Sequence, residues 1–233
     1  MSGIVFIISA PSGSGKTTLT NELRKIVPNL EFSISYTTRT PRGSEQNGRE
    51  YFFVSREVFN EMKATGEFLE YAEVFANCYG TARRFLADAM SRGKDLLLDI
   101  DVQGAAQVKQ KMPEAVSIFV LPPSRRELEW RLRTRSQTEG GQAEEVLRRR
   151  LQTAAKEIEN YNLYDYIVVN DRLEKSTDEL KAIVLSERLR RSGADLSRQR
   201  ELLETAERCR LQNAGERVRD IVASFALSAA PSS

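Results

Sequence analysis

The amino-acid sequence predicts an α/β fold: a doubly wound parallel sheet interrupted by one strand-rich lobe and one helical insertion. Three observations carry that expectation. Four short apolar, β-branched runs, Ile4 to Ser9, Asp95 to Asp101, Ala115 to Leu121 and Asp165 to Asn170, read as strands covered on both faces. Helical stretches alternate with them, the rhythm of parallel strands joined by crossover helices. A run of small residues and glycines, Ala10 to Gly15, sits between the first strand and the first helix.

In chain order, IVFIIS opens the sheet, and a helix runs from Thr17 toward Ile26 until Pro28 stops it. The stretch Phe32 to Tyr79 breaks the alternation. Its segments FSISY, YFFV and EFLEYAEVF have the pattern of short, half-exposed strands, with a small helix at Val58 to Ala64 closed by Gly66, so an inserted antiparallel lobe is expected. A helix over Ala82 to Arg92 ends at Gly93, and another over Val102 to Met112 ends at Pro113. The second insertion, Glu127 to Leu151, is arginine-rich and mostly helical, and a long helix is expected across Gln142 to Tyr161. Beyond Glu187 the composition shifts: Leu189, Leu196, Leu203, Val218, Ile221 and Phe225 recur in a polar background at roughly helical spacing. Acidic and basic residues nearly balance there, so the segment is not a basic arm. It reads as a helix packed on the core or solvated, with self-association into a homo-oligomer as the alternative, and Ala229 to Ser233 as a disordered tail. The resulting division is a core of 1–31, 83–125 and 152–186, a lobe of 32–82, a helical insertion of 126–151 and an extension of 187–233.

Composition narrows the chemistry. The 233 residues are 40% hydrophobic and 29% charged with a net charge of +2, which suits an ordinary folded chain and argues against wholesale binding to nucleic acid or an anionic membrane. No apolar run approaches the ~18 residues of a membrane span, and the N-terminus enters a strand directly instead of a signal peptide. Cys78 and Cys209 are far apart without metal-ligand spacing, so a reducing cytoplasm is expected. The chain contains no histidine, which removes Ser-His-Asp and Cys-His catalysis and the common histidine metal sites.

What remains is phosphate chemistry. Ala10-Pro11-Ser12-Gly13-Ser14-Gly15-Lys16-Thr17 follows a buried strand and opens a helix, matching G-x-x-x-x-G-K-[ST] except that Ala10 replaces the first glycine. Gly13 and Gly15 let successive backbone N–H groups turn into one concavity, and the helix N-terminus adds its partial positive charge. Lys16 is placed to reach β- and γ-phosphates, and the Thr17 hydroxyl can ligate Mg²⁺. DLLLDID then delivers carboxylates at a strand end. Asp99 and Asp101, two apart, are expected on one side of the strand, where they either hold Mg²⁺ through water or cap the following helix.

Four further motifs stand in register behind this loop: Ser35-Tyr36-Thr37-Thr38-Arg39-Thr40-Pro41-Arg42, Asn47-Gly48-Arg49-Glu50-Tyr51, Asn77-Cys78-Tyr79-Gly80-Thr81 and Asp99-Ile100-Asp101-Val102-Gln103-Gly104. Together they resemble the guanylate kinase family, from about Ile4 to Leu185. The resemblance implies a P-loop kinase that transfers the γ-phosphoryl of ATP to GMP or dGMP with Mg²⁺ as cofactor. It implies that Ala10 to Thr18, including Thr18 itself, bind ATP, with Asn170 where the family binds adenine. The inserted lobe would bind GMP, with Arg39, Arg42, Tyr51 and Tyr79 on the phosphate and Ser35, Glu70, Thr81 and Asp101 on the guanine. Thr17 and Asp99 would serve the metal. The helical insertion would be a lid whose Arg131, Arg135 and Arg150 close on the transferring phosphoryl group, working with Lys16 and Arg39.

Elementary chemistry agrees: paired arginines suit a phosphate dianion, and phosphoryl transfer needs positioning and charge more than a histidine base. Three departures from the family pattern stand out. Cys78 replaces an aromatic or histidine, Arg133-Thr134-Arg135-Ser136 replaces Gly-Arg-Gly in the lid, and the extension has no counterpart. Two rivals are kept. One is a kinase for AMP or a sugar phosphate, which the guanine-reading set disfavours. The other is a catalytically inactive guanylate-kinase-like module that binds protein ligands, which the intact Gly15-Lys16-Thr17 disfavours.

Overall fold

The first predicted strand forms as β1 (Val5–Ser9), buried at every residue. In the computed structural model, which describes residues 3–138, 144–193 and 199–226, the chain divides into two compact units, Met1–Ile7 with Pro28–Val116 and Ile8–Val27 with Ser117–Ser233. The central sheet has five strands in the order β2-β7-β1-β8-β9, where β2 is Leu30–Phe32, β7 Asp95–Asp99, β8 Val116–Leu121 and β9 Tyr166–Val169. The pairs β2–β7 and β8–β9 are parallel. Strand β2 was not among the four expected. It is three residues long and carries Glu31 in its middle, too short and too polar to register as a buried run.

In the first unit, a second sheet has the order β4-β3-β6-β5, built from β3 (Tyr36–Thr37), β4 (Phe52–Phe53), β5 (Phe68–Val74) and β6 (Asn77–Ala82). The expectation of an antiparallel lobe needs correction. Strand β6 pairs antiparallel with both β3 and β5, but β3 and β4 run parallel. The long connection from Thr38 to Tyr51 brings the chain back to its starting side before β4, so the two strands point the same way. Packed with this sheet is an apolar, largely aromatic core of Tyr36, Phe59, Met62 and Phe68 with Phe52 and Phe85 against it. Cys78 is buried in this cluster, so the departure at that position fills packing space in the lobe. Helix α2 (Arg56–Ala64) closes the layer, its start capped by Ser55 Oγ accepting from the Val58 amide. Helices α3 (Arg83–Ser91) and α4 (Val102–Lys111) complete the unit.

The second unit holds α1 (Lys16–Ile26), the arginine-rich helices α5 (Arg125–Thr138) and α6 (Glu144–Ile158), and α7 (Leu173–Ser192). The expected helix over Gln142 to Tyr161 is α6, with 142–143 outside the described residues. The segment beyond Glu187 is largely packed structure. Helix α7 runs through that boundary to Gly193, and α8 (Arg200–Cys209) and α9 (Leu211–Ala226) follow. Ala206, Cys209, Ala214, Val218, Ile221 and Phe225 are all buried. Arg210 forms a bridge with Tyr166 of the edge strand β9, its guanidinium lies 4.9 Å over the Tyr166 ring, and both side chains hydrogen-bond Glu187. An exposed strand edge invites pairing with other chains, and this segment covers it. The expected tail, Ala229 to Ser233, lies outside the described residues.

Deleting residues 194–233 should therefore lower stability. Each large apolar side chain taken from water contributes about 1.5–3 kcal/mol before ordering costs, and Val218, Ile221 and Phe225 are three such residues. A net loss on the order of 3 kcal/mol is a large share of the ~5–15 kcal/mol that holds a domain together. Thermal unfolding of the shortened protein should show a Tm lower by roughly 6–12 °C; an unchanged Tm would make α8 and α9 passengers.

Candidate functional site

Each unit carries one cluster of the residues that the sequence singles out. In the second unit, Gly13 and Gly15 both have left-handed backbones, with φ of 92° and 88°, and the Ser14 amide donates to Pro11 O at 3.1 Å. Alternating left-handed residues turn neighbouring amides into one concave nest, which binds anions. Helix α1 begins at Lys16, with Gly15 as a cap that offers no side chain and no acidic residue in its first turn. The positive end of the helix thus meets the nest without an internal anion to neutralise it. Lys16 is half-buried, Thr17 and Thr18 are exposed, and Ser14 Oγ is buried with no partner among the described residues.

The nest is held from outside. Asn170 Nδ2 donates to Ser14 O at 2.7 Å, and a Cβ at Gly15 would come within 2.3 Å of that nitrogen. Gly15 is therefore required twice, by its φ and by this close approach. Arg131 spans the same corner, donating from Nη1 to Ser14 O at 3.3 Å and from Nη2 to Asn170 O at 3.0 Å. Glu127, one turn earlier on α5, accepts from Arg131 Nε at 2.9 Å. Arg150 on α6 donates to Ser12 Oγ at 3.1 Å. Three of the expected residues, Arg131, Arg150 and Asn170, thus gather on the loop Ala10 to Gly15. Arg135 lies one turn beyond Arg131 and is exposed. Asn170, marked in the sequence for a base, spends its side-chain amide on the loop backbone, a use the sequence did not signal.

In the first unit, Glu70 and Thr81 face each other across β5 and β6. Both are buried, as is Ser35, whose hydroxyl lies 3.3 Å from that of Thr81. Gly104 is essential to this packing: a Cβ there would meet Glu70 Oε2 at 2.4 Å and Asp101 Oδ1 at 3.3 Å. Burial pushes the Glu70 carboxyl up to about 7; Asp101's charge adds to this, while hydrogen bonds from Thr81 and the charge of Lys111 oppose it. Asp101 corrects one expectation. Strand β7 ends at Asp99, and Asp101 is the N-cap of α4, its Oδ1 accepting from the Gly104 amide at 2.8 Å and its Oδ2 from Gln103 Nε2 at 3.1 Å. The helix-cap alternative holds for this residue, and its carboxylate is turned toward the Glu70 group.

The remaining expected residues form a cationic corner in the same unit. Arg39 is buried, with its guanidinium 5.4 Å over the Tyr51 ring and 5.7 Å over Phe53. Tyr51 and Tyr79 meet edge to face at 5.9 Å. Burial pushes the Tyr51 phenol up to about 12, with Asp99's charge adding, so it is a hydroxyl donor at neutral pH. Arg42 is exposed. Sequence reasoning missed Glu45, which pairs with Arg39 at 3.0 Å; the three-residue spacing Arg39, Arg42, Glu45 was its only trace.

For a divalent cation, the candidates Thr17 and Asp99 supply a hydroxyl and a carboxylate. These hard oxygen donors suit Mg²⁺, which takes one or two protein ligands and fills its shell with water and substrate phosphate.

Comparison with known proteins supplies a separate line. The guanylate kinase family pattern matches residues 3–187. The chain is 62% identical to the guanylate kinase of Koribacter versatilis, over 97% of each chain, so that similarity takes in the C-terminal extension. It is 47% identical to that of Escherichia coli, over 82% of this chain and 91% of the relative. The solved guanylate kinase of Anaplasma phagocytophilum superposes with a TM-score of 0.67 at 37% identity, over 80% of this chain and 86% of that one.

Proposed function

This chain belongs to the guanylate kinase family, and from that premise we propose that it transfers the γ-phosphoryl group of ATP to GMP and dGMP, giving ADP and GDP. The observation that carries the acceptor's identity is the buried Glu70 carboxylate, backed by the Thr81 and Ser35 hydroxyls. Guanine presents N1–H and a 2-amino group side by side, two donors for one carboxylate, and an O6 acceptor for a hydroxyl. Asp101 adds a further acceptor. Arg39 and Arg42 hold the GMP phosphate with the hydroxyls of Tyr51 and Tyr79, so the lobe 32–82 is the acceptor domain.

The donor is held by Ala10 to Thr18 on the core segments 1–31, 83–125 and 152–186, with Asn170 fixing the loop at the adenine side. A phosphate oxygen of GMP attacks the γ-phosphorus, and the bond to the β,γ-bridging oxygen of ATP breaks. No protein group needs to become covalently attached, so rate comes from positioning and from cations around the transferring group. Lys16 and the nest neutralise the β- and γ-phosphates, and Arg131, Arg135 and Arg150 of the lid, residues 126–151, surround the group in flight. Thr17 and Asp99 would hold Mg²⁺, which would supply charge neutralisation on the phosphates. The setting is purine nucleotide metabolism in the cytoplasm; among the described residues no helix is long and apolar enough to cross a membrane.

Replacing Lys16 tests the donor assignment. Alanine suits a first helical turn, so Lys16→Ala should fold normally while kcat falls ~10²–10³-fold, the range for loss of one preorganised transition-state donor. ADP release in a GMP-plus-ATP assay measures it. A folded variant with wild-type turnover would overturn the role given to Lys16, and a wild type that releases no ADP would favour a protein-binding module.

A further inference from the structure

A carboxylate inside a cationic phosphate-binding corner calls for an explanation, because it should repel the very anion the corner is meant to hold. Glu45 is that carboxylate. Its Oε1 accepts from Arg39 Nη2 at 3.0 Å, its Oε2 lies 3.0 Å from Arg39 Nη1, and Oε2 also accepts from the Arg42 amide at 2.8 Å. The Glu45 amide in turn donates to Arg42 O at 3.0 Å, closing a turn through Gly43, whose φ is 51°. One side chain therefore fixes the guanidinium of the first arginine and the backbone of the second.

The geometry also says which part of Arg39 is left to meet a ligand. A guanidinium has five N–H donors arranged as rigid forks. Glu45 takes the fork between Nη1 and Nη2, and the Thr40 carbonyl accepts from Nη1 at 2.7 Å. With those donors taken, Nε and the second N–H of Nη2 make up the fork left for a phosphate. The Tyr51 and Phe53 rings flank the guanidinium at 5.4 and 5.7 Å, and Glu45 fixes its orientation between them. Although burial opposes it, the hydrogen bonds from Arg39 and the Arg42 amide hold the Glu45 carboxyl below the usual carboxylate range, so it stays charged across neutral pH.

We infer that Glu45 is a positioning residue for the acceptor phosphate: it presents the Nε–Nη2 fork of Arg39 and holds Arg42 in register, and its ordering effect outweighs its repulsion of the dianion. This rests on the reading that Arg39 and Arg42 hold the GMP phosphate. A misaligned fork makes one hydrogen bond to the phosphate where an aligned one makes two, which weakens the hold on the acceptor.

The test uses the full-length wild type, Glu45→Gln, Arg39→Lys and the double variant, with steady-state kinetics and calorimetric titration of GMP and of guanosine, which lacks the phosphate. Glu45→Gln should raise KM for GMP about tenfold while kcat stays within about twofold and guanosine affinity is unchanged. In the Arg39→Lys background, where no fork remains to be aligned, Glu45→Gln should add less than about twofold. Unchanged or tighter GMP binding in Glu45→Gln would overturn the inference and make Glu45 a counter-ion that the phosphate displaces. A parallel loss of guanosine binding would also overturn it, revealing a role in the fold. If Arg39→Lys itself binds GMP as the wild type does, the underlying reading of Arg39 fails and the inference falls with it. If Arg39→Lys weakens GMP binding but Glu45→Gln does not, only the inference fails.

Discussion

Wild-type protein should turn over GMP with a kcat/KM ~10⁴–10⁵ above that for AMP, the discrimination reached when a buried polar site rejects a ligand that leaves it unpaired. The argument rests on Glu70, which is 3% exposed and faces Thr81 across β5 and β6. Guanine satisfies its carboxylate with two donors. Adenine instead places its N1 acceptor against that carboxylate, has no 2-amino group, and turns a 6-amino donor toward hydroxyls that serve O6. The penalty therefore combines lost bonds with a desolvated charge left without a partner, which costs more than the bonds alone. Glu70→Gln should erode the preference by damaging GMP turnover, since its amide NH₂ opposes a guanine donor. Comparable kcat/KM for the two nucleotides in the wild type would move the protein to the broader kinase alternative.

The same residue gives this result a pH signature. Guanine needs the ionised carboxylate, and burial holds that carboxyl up at about 7. GMP binding should thus strengthen as pH rises from 6 to 8, and Glu70→Gln should lack that component, which separates it from titration of the nucleotide's own phosphate. In the ligand-free protein the sign is opposite for stability. Folded Glu70 binds its proton more tightly than the unfolded chain does, so its contribution to stability is lost as pH rises from 4.5 toward about 7.

The loop Ala10 to Thr17 and the four buried strands were legible because each rests on local signals, a glycine-lysine-threonine pattern and short β-branched runs. Strand β2 was not, because Leu30 to Phe32 gains its place only by pairing with β7, which no local pattern announces. The parallel pairing of β3 with β4 is hidden for the same reason: it depends on where a fourteen-residue connection returns. Among candidate site residues, types were readable and hydrogen-bond assignments were not. Asp101 could equally have been a strand-end ligand or a helix cap, and it is a cap because β7 stops at Asp99. Glu45 and Glu127 carry no local signal of a role, yet each holds an arginine of the proposed machinery. Beyond Glu187 the apolar residues were visible, but their burial depends on the face they find against β9 and α7.

Arg135→Ala should lower kcat by ~10³–10⁵, the range for an arginine that reaches a transferring phosphoryl group, while KM for GMP stays within a few-fold. The place of Arg135 on α5, beside the loop-bracing Arg131, carries this expectation. Arg131 is committed in the free protein, bridging Ser14 O, Asn170 O and Glu127. Its bonds exist before substrate arrives and support the loop in ground state and transition state alike, so beside its share at the transferring group it also contributes to ATP binding. Arg135 lies four residues on, along the same face of α5, and is exposed. Interactions it makes only as charge redistributes on the phosphoryl oxygens act on kcat alone. The helix supports such a role mechanically: Arg133 pairs with both Glu129 and Glu144, tying α5 to α6, and Arg133-Thr134-Arg135-Ser136 continues the helix where glycines would loosen it. Arg131→Ala should accordingly raise KM for ATP, and Arg135→Ala should not. Steady-state kinetics with each substrate varied in turn separates the two. Weak GMP binding with normal kcat in Arg135→Ala would transfer this residue to the acceptor side and reverse the division of labour between α5 and the lobe.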